Sequence, residues 1–148
     1  MICSMKKYLL ALDLGKGSLG LALSRSGEFI APLKEIRFPA THYEYAIAHL
    51  RELLMIEKVE TFVLGLPLFP SGDECEMTPI VKRFATLLEQ NFPNIEIVFQ
   101  DERNSTVEAA AMLREAGKNA KKAKGNIDSA AAYIILKRYL SSIGQYED

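Results

Sequence analysis

Four carboxylates stand where an acid needs a reason. Asp13 closes the apolar run from Tyr8 to Leu14, Tyr-Leu-Leu-Ala-Leu-Asp-Leu. A carboxylate at the end of such a run is costly unless it is paired, metal-bound or at the edge of a sheet. Asp101 and Glu102 follow a second apolar run, Ile95 to Phe99. Consecutive residues on a strand point to opposite faces, so only one of the two reaches a shared site. Asp128 falls in the first turn of the last helical stretch. Each acid alone has a plain explanation: Asp13 as a cap of the turn after it, Asp101 or Glu102 as a partner of Arg103, Asp128 as a complement to a helix dipole. Together they define a possible chemistry. Clustered carboxylates repel unless a divalent cation neutralises them, and an oxygen-only set without His or Cys suits Mg²⁺ or Mn²⁺. Such a site supports phosphoryl transfer.

Two further features could serve a phosphate chain. The turn Asp13-Leu14-Gly15-Lys16-Gly17-Ser18-Leu19-Gly20 lets a backbone approach closely and offers the charge of Lys16. It lacks the Gly-Lys-Ser/Thr ending of a nucleotide-binding loop, and a strand rather than a helix follows it. Its plain reading is a tight hairpin. Lys118, Lys121, Lys122 and Lys124 form a basic stretch leading into Asp128. A solvated loop is the usual meaning of such a run, but here a phosphate chain held by it would pass the carboxylates. Arg103 adds a charge beside Asp101 and Glu102. His42 and His49 lie on the first helical stretch, far in sequence from every acid, and read as surface or packing residues.

The elements that must position these groups follow from the pattern. The length of 148 residues suits one domain spanning 1–148, with residues 1–5 as a tail. Strands are expected over Tyr8 to Leu14, Leu19 to Ser24 and Phe29 to Phe38, joined by short turns into an antiparallel meander. A helix follows over Tyr43 to Lys58 with Tyr43, Ile47, Leu50 and Leu54 on one face. Then come a strand over Thr61 to Leu66, a polar loop to Met77, and a helix over Ile80 to Asn91 capped by Thr78 with Pro79 at its first position. A strand over Ile95 to Phe99, a short helix from Ser105 or Thr106 to Ala116, and a helix over Ile127 to Ile143 with Ala131, Ile134, Ile135 and Leu136 inward complete the order β-β-β-α-β-α-β-α-α. Helices alternate with strands only in the second half, which predicts an α/β fold with a mixed sheet.

Composition narrows the class. Hydrophobic residues are 49% and charged residues 25%, which excludes a disordered chain. The net charge of -1 removes any bulk attraction to phosphate, so nucleic-acid contact must rest on a local patch. Two cysteines, Cys3 and Cys75, are too few for a disulfide scaffold and have no metal-ligand spacing. A reducing cytoplasm is the expected setting. No apolar stretch reaches bilayer-spanning length, so no membrane is expected.

Several short motifs in order resemble the YqgF family, also called RuvX, of pre-16S rRNA nucleases and Holliday junction resolvases. They are Leu10-Ala11-Leu12-Asp13-Leu14-Gly15, Gly20-Leu21-Ala22-Leu23-Ser24, Gly65-Leu66-Pro67, Asp101-Glu102-Arg103, Thr106-Val107-Glu108-Ala109 and Lys124-Gly125-Asn126-Ile127-Asp128-Ser129-Ala130-Ala131. The resemblance covers residues 6 to 143. It implies an RNase H-like fold of three antiparallel then two parallel strands, flanked by helices. It also implies a metal-dependent nuclease whose acids are Asp13, Asp101 or Glu102, and Asp128, with Glu102 favoured for the cluster. Three places depart from the family pattern. Gly17-Ser18-Leu19-Gly20 lacks one basic residue, Asn104-Ser105-Thr106 follows Arg103, and Asp73, Glu74 and Glu76 make the loop after Pro67 acidic. The expected substrate is structured nucleic acid, with precursor 16S rRNA and its ribosomal particles ahead of a four-way DNA junction. A non-catalytic binding module is the reading from another class. Monomer and homodimer both stay open.

Overall fold

The computed structural model describes residues 6–103 and 127–145, with backbone alone for residues 127–129. The elements are β1 Leu9–Leu14, β2 Ser18–Ser24, β3 Ala31–Arg37, α1 Tyr43–Ile56, β4 Thr61–Leu66, α2 Met77–Asn91, β5 Glu96–Asp101 and α3 Ile127–Ser142. Short turns can return a chain only antiparallel, whereas a helical crossover lets the next strand run parallel. The sheet obeys this. Its order is β3-β2-β1-β4-β5. β1 with β2 and β2 with β3 are antiparallel, and the strands entered through α1 and α2 pair parallel as β1 with β4 and β4 with β5. This is the expected mixed five-stranded sheet, three antiparallel strands then two parallel.

Alternation along β1 explains the layers. Leu10, Leu12 and Leu14 join Phe62 and Leu64 of β4 on one face and pack against Leu50 of α1 and Val81, Phe84 and Leu88 of α2. Leu9 and Ala11 share the other face with Ala22 and Val63, beneath Ala132, Ile135, Leu136 and Leu140 of α3. β1 is therefore covered on both sides, which is why it reads as a continuous apolar run rather than an alternating one. The inward residues expected of α3 (Ala131, Ile134, Ile135 and Leu136) are all buried.

α3 has a fixed direction. The Gln145 side chain, just past its end, accepts from the Lys6 amide at 2.7 Å and donates to the Lys6 and Gly27 carbonyls at 2.9 and 3.1 Å. Gly27 makes this approach possible. Its φ is +81°, and a Cβ there would lie 1.9 Å from the Lys6 carbonyl oxygen. The end of α3 thus sits at the start of β1, and its first turn lies toward the carboxyl ends of β1, β4 and β5.

Of the boundaries that differ from the sequence reading, two bear on the site. β5 runs on to Asp101, so that acid belongs to the strand. α2 begins at Met77, and Thr78 is not its cap. The Thr78 hydroxyl is fully buried and turned back to the preceding loop, donating to the Pro67 carbonyl at 2.6 Å and accepting from the Cys75 amide at 2.9 Å. The expected tail, the helix from Ser105 or Thr106 to Ala116 and the lysine-rich loop lie outside the described residues. Among the described residues, no helix is long and apolar enough to cross a membrane.

Phe62 anchors the α1/α2 face, fully buried with its ring edge-on to Phe92 at 5.7 Å between centroids. Phe62→Ala is expected to cost about 3–5 kcal/mol of stability. Urea unfolding checks this: the midpoint should fall sharply while the m-value stays unchanged.

Candidate active site

The three parallel strands end at one edge of the sheet, and alternation decides which side chains share a face there. Asp13 lies two residues beyond Ala11, hence on the α3 face. On β5, Val98 packs against the α3 layer. Glu102, four residues on, returns to that face, while Asp101 points away. β4 separates β1 from β5, so their backbones are about 10 Å apart, twice the usual inter-strand spacing. The acids must therefore meet across β4. At the crossing point β4 carries Gly65, one residue beyond the Leu12–Leu64 pair. A Cβ on Gly65 would stand 3.1 Å from both Cδ and Oε2 of Glu102 and 2.5 Å from Cδ1 of Ile135. The missing side chain is thus the space the Glu102 carboxyl occupies. The Glu102 amide also donates to the Leu66 carbonyl at 3.2 Å, which continues the β4–β5 ladder to the site.

Across Gly65, Glu102 is hydrogen-bonded to Asp13. Burial, then the charge of Asp13 and this hydrogen bond, push the Glu102 carboxyl up to about 10, with the Cys75 thiol adding and Arg138 opposing. At neutral pH the two acids therefore stay together by holding a proton. Two hard oxygen donors in that condition fit Mg²⁺ or Mn²⁺, whose charge would do what the proton does. Among the described residues, no group of three or more His, Cys, Asp or Glu is gathered for a metal. Asp128 is the second residue of α3, and its side chain lies outside the described part. Its backbone stands seven residues, two helical turns, before Ile135 and on the same helix face, at the end of α3 nearer the acids.

The other expected residues are placed as follows. Asp101 turns to Arg103, accepting from its amide at 2.8 Å and its Nε at 2.7 Å. The Arg103 guanidinium holds the Asp101 carboxyl below the usual carboxylate range. Arg103 Nη1 also donates to the Pro70 carbonyl at 3.3 Å, so this side chain braces the loop between β4 and α2. Lys16 lies in the β1–β2 hairpin at the same sheet end and pairs with Glu76 at 2.9 Å, with both groups largely exposed. Lys118, Lys121, Lys122 and Lys124 lie outside the described residues. His42 and His49 are on α1 or at its start, and the His42 ring meets Glu44 at 3.1 Å and Tyr45 edge-on.

Sequence reasoning missed three contributors. Gly65 was read only as part of a motif, although a glycine inside a strand itself signals a close approach. Arg138 of α3 donates to the Asp101 and Arg103 carbonyls at 3.3 and 2.8 Å, pinning the turn that carries Glu102. Nothing in its helical context announces this. Cys75 lies near Glu102, its thiol lowered chiefly by a hydrogen bond with the Thr78 hydroxyl.

A family model described as RuvX, Holliday junction resolvase, matches residues 7–142. A protein of Onion yellows phytoplasma (strain OY-M) is 38% identical over 134 residues, 90% of this chain and 89% of that one. One of Mycoplasmopsis pulmonis (strain UAB CTIP) is 37% identical, with 90% and 92% covered, and one of Geobacillus sp. (strain WCH70) is 37% identical, with 90% and 97% covered. All three bear the name "Putative pre-16S rRNA nuclease".

The Glu102 carboxyl sets a pH dependence. Its folded value of about 10 lies above the ordinary 4.5, so between these limits the folded state holds a proton that the unfolded state has lost. The stability it contributes is complete below about pH 4.5 and lost as pH rises toward 10, with a slope of at most about 1.4 kcal/mol per pH unit. In metal-free buffer, Glu102→Gln should raise the melting temperature more at pH 8 than at pH 5. Parallel pH profiles for the two proteins would mean that Glu102 ionises normally in the fold.

Proposed function

The chain belongs to the RuvX family, and on that premise we propose that it is a metal-dependent endonuclease, a hydrolase of phosphodiester bonds acting on structured nucleic acid. The fold is RNase H-like α/β. The observation that carries the proposal is the contact of Asp13 with Glu102 over Gly65. A protein gains nothing in stability from pressing two acids together, so the contact calls for a bound cation. Asp13, Glu102 and Asp128 would hold Mg²⁺ or Mn²⁺. When bound, the metal activates water and offsets charge on the phosphate and the leaving oxygen.

The chain's own residues then have separate tasks. Glu102 would hold the cation as a carboxylate, its proton released to solvent. Asp13 is held from the β1 backbone and Glu102 from the turn that Arg138 pins. Asp101 orients that turn through Arg103 rather than meeting the metal. Lys118, Lys121, Lys122 and Lys124 draw the phosphate chain toward the acids by charge alone, while Lys16 is engaged by Glu76. The names of the relatives favour precursor 16S rRNA, and the proposal places the cut at its 5′ end, within ribosomal precursor particles in the cytoplasm. The description of the family favours a four-way DNA junction, where two symmetric cuts call for a homodimer.

One assay separates these readings. Precursor 16S rRNA and a four-way junction are offered side by side with Mg²⁺ or Mn²⁺, and cleavage of the RNA at its 5′ end is expected. Asp13→Asn should abolish cleavage and leave binding intact or stronger, since repulsion of phosphate falls. Wild-type cleavage by that variant would reduce Asp13 to a turn cap. A companion variant with Lys121, Lys122 and Lys124 replaced by Ala should weaken binding for every sequence and flatten its salt dependence, each lost phosphate contact reducing the slope by about one.

A further inference from the structure

The loop between β4 and α2 presents an exposed aromatic, Phe69, next to the Pro70 carbonyl that Arg103 holds. It is an ordered turn. The Phe69 amide donates to the Asp73 carbonyl at 2.9 Å, the Gly72 amide returns to the Phe69 carbonyl at 2.8 Å, and Leu68 bridges Glu74. Three bonds fasten it to the site edge: Thr78 to the Pro67 carbonyl, Arg103 to the Pro70 carbonyl, and Glu102 to the Leu66 carbonyl. Phe69 is nonetheless 53% exposed. The core had no use for this ring, and the loop has no freedom to hide it.

Charge decides what the ring can hold. The same loop carries Asp73, Glu74 and Glu76, and Glu76 already occupies Lys16 while Glu74 pairs with Lys82 at 3.1 Å. A phosphate gains nothing at this surface. A base does: its π-face stacks on an aromatic ring without needing charge. Bases are free to stack only where they are unpaired, as in loops, bulges and single strands. Resting on the nuclease reading, we infer that Phe69 is a stacking platform for an unpaired base next to the scissile phosphate. Phe69 then makes the enzyme select single-stranded segments or splayed-out nucleotides over continuous duplex. Phe29 provides an internal control. It is 78% exposed, but in the β2–β3 turn at the opposite end of the sheet.

The sequence contains no Trp, so Phe69→Trp places one fluorophore at the platform. In metal-free buffer, a single-stranded oligoribonucleotide should change its fluorescence, while a fully paired duplex and an abasic strand of equal charge should not. Phe69→Ala should weaken single-strand binding about 5- to 100-fold, the range for one stacked base. That loss should be the same at low and high salt. Phe69→Tyr should restore binding, Phe69→Leu should not, and Phe29→Ala should match wild type. Equal responses to abasic and normal strands, or a Phe69→Ala protein that binds as wild type does, would overturn the stacking role and leave the nuclease reading standing. A wild-type protein that binds no strand of any kind would overturn both.

Discussion

Two half-buried carboxyl groups pressed together repel, and the rest of the site is arranged around keeping them there. Gly65 provides the space, Arg138 and Arg103 hold the turn that carries Glu102, and β1 supplies Asp13 from a strand buried on both faces. Neither acid can withdraw. Asp13 is fixed by its place in the sheet, and Glu102 continues the β4–β5 ladder through its own amide. With its carboxyl pushed up to about 10, Glu102 keeps its proton at neutral pH, which relieves the repulsion; the proposed cation would do the same. Residues of the backbone ladder thereby become determinants of the chemistry, although none of them reacts.

Charge is distributed unevenly around this pair. The loop after β4 is acidic and already uses up Lys16 and Lys82. The lysines before α3 lie on the other sequence side of the site. A substrate drawn in by the lysines and held by its bases at the acidic loop would be oriented by two different forces. One is long-ranged and sensitive to salt, the other short-ranged and indifferent to it. The net charge of -1, summed over the whole chain, conceals this division.

Much of the fold is legible in the chain. The β1 run, the α3 apolar side and the break between meander and alternating halves each follow from period and punctuation, which act locally. The strand rule also says that Asp101 and Glu102 part company. What it cannot say is that β4 inserts between β1 and β5, because strand order is a property of the whole sheet; only that order explains why residue 65 is Gly. Thr78 followed by Pro79 has the form of a helix start, yet the hydroxyl found a better acceptor in the Pro67 carbonyl, and the helix begins at Met77, two residues before the expected first position. Arg138 is invisible for a related reason: its acceptors are backbone carbonyls 35 and 37 residues away, which leave no mark on side-chain pattern.

The Gln145 clamp on Lys6 and Gly27 joins residues 139 and 118 positions apart. During synthesis the whole sheet emerges before α3 does. Until then Leu9, Ala11, Ala22 and Val63 form an uncovered apolar face, open to wrong partners. The layer that covers it is made last, so a half-made chain lacks a closed core on this side. Docking of α3 is thus the step that closes this face of the sheet and renders it safe from aggregation.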